Sequence, residues 1–367
     1  MSALPAASGD DGRDAMGWGT SSAARAGVQG SIGMVRDRGL GGCVRASGLA
    51  GVCAVAALSS VAMAAPTRPI SELVPVVTLH LGGTADWVAI VPDAIWVGST
   101  APNAVHAIDP RTDRLIATVP LPGNPCAGLA AGFGALWVPL CANPNVLARV
   151  DLQTHAVRLV PGVGPADREG GITTSRDSVW LVTDARSTLT RIDPATGRIR
   201  QRVRIAPGSY NPLYAGGALW VTRADGAEAT IVDASTGRIE GSVKTGPGPR
   251  FLTAGNRSVW TLNQGDGSLT RIDERTHRAT RTIELGTPGR GGDIGFGAAV
   301  VLTTMSKVPI SVIDAATTIL RCQWVGAGGD SLGISNGSVW LTDYDRGNVS
   351  RYELAKVVDG CLAPMPK

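Results

Sequence analysis

Aromatic residues are scarce in this chain, at 4% of 367 residues, and its 34 basic and 30 acidic side chains are interspersed, leaving a formal net charge of +4. A phosphate-binding face needs clustered Lys and Arg, and no block of roughly five or more like charges occurs, so nucleic acid is not an expected partner. Nucleophile elbows, P-loops, EF-hand loops and C-x-x-C pairs are also missing, so no motif argues for hydrolase, nucleotide, calcium, zinc or dithiol chemistry. Gly291-Gly292-Asp293-Ile294-Gly295 is glycine-rich, but no helix-forming segment follows it to complete a phosphate cradle, and it reads as a connection between repeats. The four histidines are dispersed: His80 and His106 fall in expected strands, and His155 and His277 in outer turns where solvent is the expected surrounding. After residue 64 no apolar stretch approaches the ~20 residues of a membrane span, so none is expected in the mature chain.

What is present begins with an export signal. From Met34, Arg36, Arg38 and Arg45 precede the apolar run Gly48 to Met63, and Ala62-Met63-Ala64 supplies an A-x-A cleavage site. Cleavage after Ala64 leaves a mature chain starting near Ala65. A membrane anchor is the alternative, but the run is short and made of mostly small residues, below the ~20 needed to span. Leu40-Gly41-Gly42-Cys43 makes only a weak lipoprotein signal, since little hydrophobic sequence precedes it. Residues 1–33 form a Gly-, Ala-, Ser- and Asp-rich extension, and Met1 and Met34 both stand as translation starts. The expected location is periplasmic or secreted, which is an oxidising compartment.

Nine of the aromatics are Trp, against three Phe and four Tyr, so one aromatic type serves one repeated purpose. Trp96, Trp137, Trp180, Trp220, Trp260 and Trp340 sit in similar apolar triplets at spacings of 41, 43, 40, 40 and 80. The double interval holds Ala299-Val300-Val301-Leu302-Thr303, which aligns with Ser338-Val339-Trp340-Leu341-Thr342 and puts Val301 in the Trp place. Seven repeats of about 40 residues result. An acidic residue follows each marker by 13 or 14 positions: Asp109, Asp151, Asp193, Asp233, Asp273, Asp314 and, as a variant, Glu353. The first six are followed three residues later by Thr, as in Asp193-Pro194-Ala195-Thr196-Gly197-Arg198. Asp accepts backbone N–H bonds at a turn start, Pro suits the next position and Gly tolerates positive φ, so the segment is a hairpin turn.

Between these markers lie short β-branched runs with strand alternation, such as Ser268 to Ile272 and Arg278 to Ile283, and four strands fit each repeat. A four-stranded unit cannot bury its own apolar faces, whereas radial stacking of such units covers them. The segment Leu73 to His80 resembles the last strand of a repeat but precedes the first Trp marker, while the last repeat ends near Glu353 without one. The expected fold is all-β: a seven-bladed β-propeller over residues 65–354, four antiparallel strands per blade, its ring closed by an N-terminal strand completing the last blade. Residues 355–367 are then a C-terminal tail.

Gly217-Ala218-Leu219-Trp220-Val221-Thr222-Arg223 is similar to the repeat named for Tyr-Val-Thr-Asn, with Trp for Tyr and Arg for Asn. With the Asp-x-x-Thr-Gly-Arg turns, residues 73–354 resemble the YVTN and YncE-like propellers and, more loosely, the streptogramin-lyase propellers. The repeated residues are scaffold, so the resemblance implies the fold and leaves function open. A streptogramin-lyase type of mechanism implies His and Glu around a divalent metal at the channel. Glu169 is the one Glu near the expected mouth, and no His accompanies it in register.

Cys43 and Cys53 fall in the signal, which leaves four cysteines in the mature chain. Cys126 and Cys141 are symmetric about a hairpin turn near Phe133-Gly134 and are expected to pair. Cys322 and Cys361 are expected to staple the C-terminus. Function then rests on the loops leading into each inner strand, which in a propeller converge around the channel. They carry Asp86 and Trp87, Asn124, Arg168 and Glu169, Tyr210 and Asn211, Arg250, Arg290 and Asp293, and Asp330. Such loops are equally the ordinary solvated rim of any propeller. As a site, Arg250 and Arg290 can grip an anionic group, while Asp86, Asp293 and Asp330 can hold a cation or a hydroxylated ligand. The expected role is a monomeric, non-catalytic binding propeller for a small molecule or a protein partner. A metal-dependent lyase is the alternative, and no residue calls for a quinone or any other particular cofactor.

Overall fold

The computed structural model describes residues 65–289 and 291–362. The expected extension and signal, Arg290, and residues 363–367 lie outside that range.

Among the described residues the strands form seven sheets in chain order, a seven-bladed β-propeller. Blade one runs from the inner to the outer strand as Thr84–Val91, Ala94–Thr100, Ala104–Asp109 and Arg114–Pro120, all antiparallel. Blades three, four and five repeat this order over residues 172–204, 209–244 and 249–284. In blade two the inner strand is split into Asn124–Pro125 and Ala130–Gly132. Blade six, over 294–325, gains a fifth strand, Thr67–Pro69, which lies parallel to its outer strand Ile319–Val325. Blade seven supplies Leu332–Ser335, Ser338–Asp343 and Asn348–Glu353, and Val77–His80 completes it, with Val77 opposite Arg351 and His80 opposite Asn348. The first and last strands of the ring thus share one sheet and fasten it.

A blade is covered on both faces by its neighbours, so its second strand reads as a continuous apolar run rather than an alternation. All six residues of Ser258–Asn263 are buried. The six marker Trp residues, each no more than 1% exposed, pack against the following blade. Trp220 meets Val259 and Ile272 of blade five, and Trp340 meets Ile95, Val97 and Ile108 of blade one, which closes the core around the ring. Trp137, Trp220 and Trp260 donate their indole N–H to the backbone carbonyl five residues earlier, at 3.2, 3.3 and 3.4 Å.

Blade six departs from the sequence alignment. Asp314 pairs with Val300, as Asp273 pairs with Ser258 two residues before Trp260, so Leu302 and not Val301 stands in the Trp place. The hairpin between the second and third strands is one residue shorter there, so counting back from the acidic marker lands one position short.

The six outer turns behave as their composition dictates. Asp233 Oδ1 accepts from the backbone N–H groups of Ser235 and Thr236 at 3.0 and 2.7 Å and from the Thr236 hydroxyl at 2.8 Å. The residue after the Thr is left-handed in every one: Asp113, His155, Gly197, Gly237, His277 and Thr318 have φ between 56° and 73°. That shared requirement explains the recurrent Gly. His155 and His277 differ from the solvated surface expected of them, since their rings meet Trp96 and Trp220 edge-on at 5.7 and 5.1 Å. Cys126 is bonded to Cys141 and Cys322 to Cys361, with Cα separations of 5.7 and 6.0 Å. The second bond ties down a helix, Leu354–Gly360, absent from the sequence reading, and the Trp324 indole donates to the Val357 carbonyl at 2.9 Å.

Candidate functional site

The loops from outer to next inner strand, and the hairpins between second and third strands, share one face. Around the channel mouth on that face stand Asp86 on blade one, Glu169 before blade three, Tyr210 and Asn211 on blade four, Arg250 on blade five, Asp293 at blade six and Asp330 at blade seven. Arg290 lies outside the described residues.

Three aspartates stitch neighbouring blades while facing the mouth. Asp330 Oδ1 accepts the Gly292 N–H at 3.3 Å, and Asp293 Oδ2 accepts the Leu332 N–H at 3.1 Å, a reciprocal link between blades six and seven. The Ser331 hydroxyl donates to Asp86 Oδ1 at 2.6 Å, joining blade seven to blade one. These contacts do not neutralise the carboxyls. Burial holds Asp86 well above the ordinary carboxylate range, and the charges of Asp330 and Glu169 push the same way. Burial raises Asp293 to about 7 against two stabilising backbone bonds, with Asp330 and Glu169 adding to the rise. Asp330 is raised by burial, with Asp343 and Asp345 as further negative neighbours. Glu169 is raised to about 7, again chiefly by burial, with Arg250 opposing and Asp330 and Asp167 reinforcing. The Glu169 side chain is exposed in part, yet the protein that crowds it sets the direction of the shift.

Arg250 is the cation that acts on Glu169, and it is already engaged. Its guanidinium pairs with Asp167 and lies 5.4 Å over the Tyr210 ring, with the side chain only 13% exposed. Asp167 Oδ1 also accepts the Glu169 N–H at 2.8 Å, so this pair positions the loop that carries Glu169. Arg250 therefore serves as a strut here, a contact no sequence signal announced. Both Tyr210 and Arg250 occupy bulges, where the inner strands of blades four and five shift register.

A third bulge lies at Trp87, whose φ is +57°. Left-handed backbone is unusual for a bulky residue, and here it sends the indole into the channel. Trp87 packs on Phe251 of blade five with ring centroids 6.0 Å apart, and with Leu129 and Ile294. Blades one and five are not neighbours, so this contact crosses the channel and floors the mouth. Asn211, 4% exposed, donates to the Arg250 carbonyl at 3.0 Å while its Oδ1, directed at Gly171 of blade three, has no partner. A blade-four side chain that reaches both blade three and blade five lies on the channel side.

Histidine does not join this cluster. His106 is buried between the Ser99 and Thr118 hydroxyls and held at about 4 by burial, and His80 binds at the ring's seam with Asn348. Among the described residues no three His, Cys, Asp or Glu side chains are grouped to hold a metal ion. The residues present thus do not fit the metal centre that a lyase-like resemblance implies. A cavity of about 350 Å³ opens beside the mouth against Cys141, Asn145, Asp167 and Arg168. One of about 530 Å³ lies on the opposite face, between the turns of blades one and two, away from every carboxyl of the mouth.

No family model matches the chain, and no curated protein matches it. Among solved structures it is similar to BamB from Moraxella catarrhalis, with a TM-score of 0.55 and 12% identity over 77% of this chain and 99% of that one. That likeness shows the fold. At such low identity it carries nothing about ligand or partner.

Proposed function

We propose that this chain is an exported, monomeric binding propeller of the YVTN and YncE-like kind, which takes a small molecule or a protein partner through its channel-face loops without catalysis. One observation carries the reading: four carboxyls from blades one, three, six and seven meet at a floored mouth, and the nearby guanidinium is held by Asp167. Burial disfavours the charged form of each of these groups, and a cost beyond the interblade bonds that three of the aspartates make supports a role in binding. The Trp-Val-Thr strand at Trp220 and the Asp-x-x-Thr-Gly-Arg turns support the family assignment, and the two disulfides fit an oxidising compartment. No described helix is long and apolar enough to cross a membrane.

The test is a thermal-shift screen of the full chain against sugars, amines, amino acids, peptides and metal ions, beside the Asp86→Asn, Asp330→Asn variant. At least one class is expected to stabilise the wild type and not the variant. A ligand that shifts both equally moves the site elsewhere, and turnover of a bound compound removes the non-catalytic half of the proposal.

A further inference from the structure

On the face opposite the mouth, we infer that the cavity of about 530 Å³ between blades one and two is a second site, which takes a free α-amino acid with an aromatic side chain. Its volume is that of a small-molecule site. Two departures from the repeat support this, and the first is Arg149. Arg149, Arg191, Arg271 and Arg351 hold one place in four blades, each opposite its marker Trp. In three of them the guanidinium donates to a Ser hydroxyl two residues before that Trp: Arg191 to Ser178 at 2.7 Å, Arg271 to Ser258 at 2.9 Å and Arg351 to Ser338 at 3.1 Å. Ala135 takes the Ser place in blade two, and among the described residues the Arg149 side chain makes no hydrogen bond. Its ion pair with Asp151 is long, at 3.8 Å, although the side chain is only 25% exposed. Arg149 lines the cavity, and a guanidinium with unused donors there suits a carboxylate, whose two oxygens match its fork.

The second departure is Phe133. The two-residue turns that join the first and second strands of blades two, four, five, six and seven are left-handed at both positions, where Asn and Gly are favoured. Gly216, Asn256 and Asn336 obey this at the first position, whereas blade two places Phe133 there, at φ +57° and 40% exposed. A bulky apolar residue held both strained and exposed supports a role in binding. Phe133 lines the cavity from blade two and Ile116, 55% exposed, from blade one, two apolar surfaces for an aromatic ring. Charge selects the remainder of the ligand. Asp93 and Asp151 also line the cavity and disfavour a simple anion. Asp151 Oδ1 is engaged by its own turn, accepting from the backbone N–H groups of Gln153 and Thr154 at 3.1 and 2.9 Å. The Asp93 carboxylate accepts no hydrogen bond among the described residues, so it is open to an ammonium group. A zwitterion bearing a ring matches Arg149, Asp93 and Phe133 together, whereas an aromatic acid or amine leaves one of the charges unmet.

The experiment is calorimetric titration of the full chain with L-phenylalanine at pH 8, with 3-phenylpropanoate and 2-phenylethylamine as separate arms. L-Phenylalanine is expected to bind with Kd below about 1 mM, and each analogue, which lacks one charged group, about tenfold more weakly. Arg149→Gln is expected to lower the affinity for L-phenylalanine about tenfold, as the loss of a charge-assisted hydrogen bond does. Phe133→Asn installs the residue that blades five and seven carry in the same turn, so it is expected to weaken binding while Tm stays level or rises. The Asp86→Asn, Asp330→Asn variant should bind L-phenylalanine as the wild type does. Absence of binding overturns the inference, and so does equal affinity in the wild type, Arg149→Gln and Phe133→Asn. Binding of either analogue as tight as that of L-phenylalanine overturns the choice of a zwitterion. Loss of binding in the Asp86→Asn, Asp330→Asn variant moves the amino acid to the mouth, which overturns this second site and supports the binding reading of the first.

Discussion

Replacing Glu169 with Gln should stabilise the protein, and only at high pH. In the unfolded chain a Glu titrates near ~4.3, whereas in the folded mouth Glu169 holds its proton up to about 7. Between those values the folded state binds more protons than the unfolded state, so the Glu169 contribution lowers stability as pH rises. A rise from 4.5 to about 7 sets a ceiling of roughly 3 kcal/mol at about 1.4 kcal/mol per pH unit. Glu169 touches solvent, so screening cuts this to about 1 kcal/mol. For a domain of this size that is roughly 2 °C in Tm. Gln has nearly the same shape and no charge, and no side-chain hydrogen bond of Glu169 is lost. Asp293 is a poorer choice, because its two oxygens accept from Ile294 and Leu332 and an amide NH2 would face a donor.

Wild-type curves alone mislead here. His106, held at about 4, loses stability in the opposite sense as pH falls below its unfolded value near ~6.5, so the observable is the difference between the two proteins. Differential scanning calorimetry from pH 4 to 8 at fixed ionic strength should show nearly coincident Tm values at pH 4 and a more stable variant at pH 8. A variant that is no more stable at pH 8, or equally shifted at both ends, refutes the burial argument for Glu169.

Trp220→Ala should cost about 3–5 kcal/mol, because the side chain is fully buried and its loss leaves a cavity against Val259 and Ile272; an unchanged Tm contradicts the interblade packing. Asp233→Asn should destabilise the protein at neutral pH but not near pH 2, because the wild-type carboxyl, held at about 2, keeps its benefit above the unfolded value near ~3.9 and loses it as pH falls to about 2; a gap that persists in acid denaturation at pH 2 rules out the carboxylate as its source. Non-reducing peptide mapping should recover Cys126 with Cys141 and Cys322 with Cys361, and any peptide joining Cys141 to Cys322 contradicts this pairing.

The ring was legible because two markers with different physical jobs, a core Trp and a turn Asp, share one period, so each checks the other. The closing strand was legible for the same reason, as Val77–His80 is a surplus at one end that fits a deficit at the other. Counting failed at Leu302, where a hairpin lost a residue and only strand pairing shows the register. Sequence brought Asp86, Glu169, Asp293 and Asp330 to one face by their place in the repeat. It did not reveal that Arg250 is consumed by Asp167, which belongs to a long loop without repeat counterparts. Nor did it reveal the channel-crossing Trp87, since a left-handed bulge is a tertiary outcome that no local pattern marks. The short parallel strand Thr67–Pro69 and the helix Leu354–Gly360 escaped for want of periodicity.

The central claim is that the four raised carboxyls of the mouth are the binding groups. The compound that separates the wild type from the Asp86→Asn, Asp330→Asn variant in the thermal-shift screen, titrated at pH 6.5 in two buffers of different ionisation enthalpy, reads the protons exchanged on binding. Carboxyls held near 7 by burial change their protonation when a ligand contacts them, so exchange of about one proton is predicted, vanishing by about pH 8.5. Binding that exchanges no protons at pH 6.5 would place the ligand away from Asp86, Glu169, Asp293 and Asp330 and contradict the account.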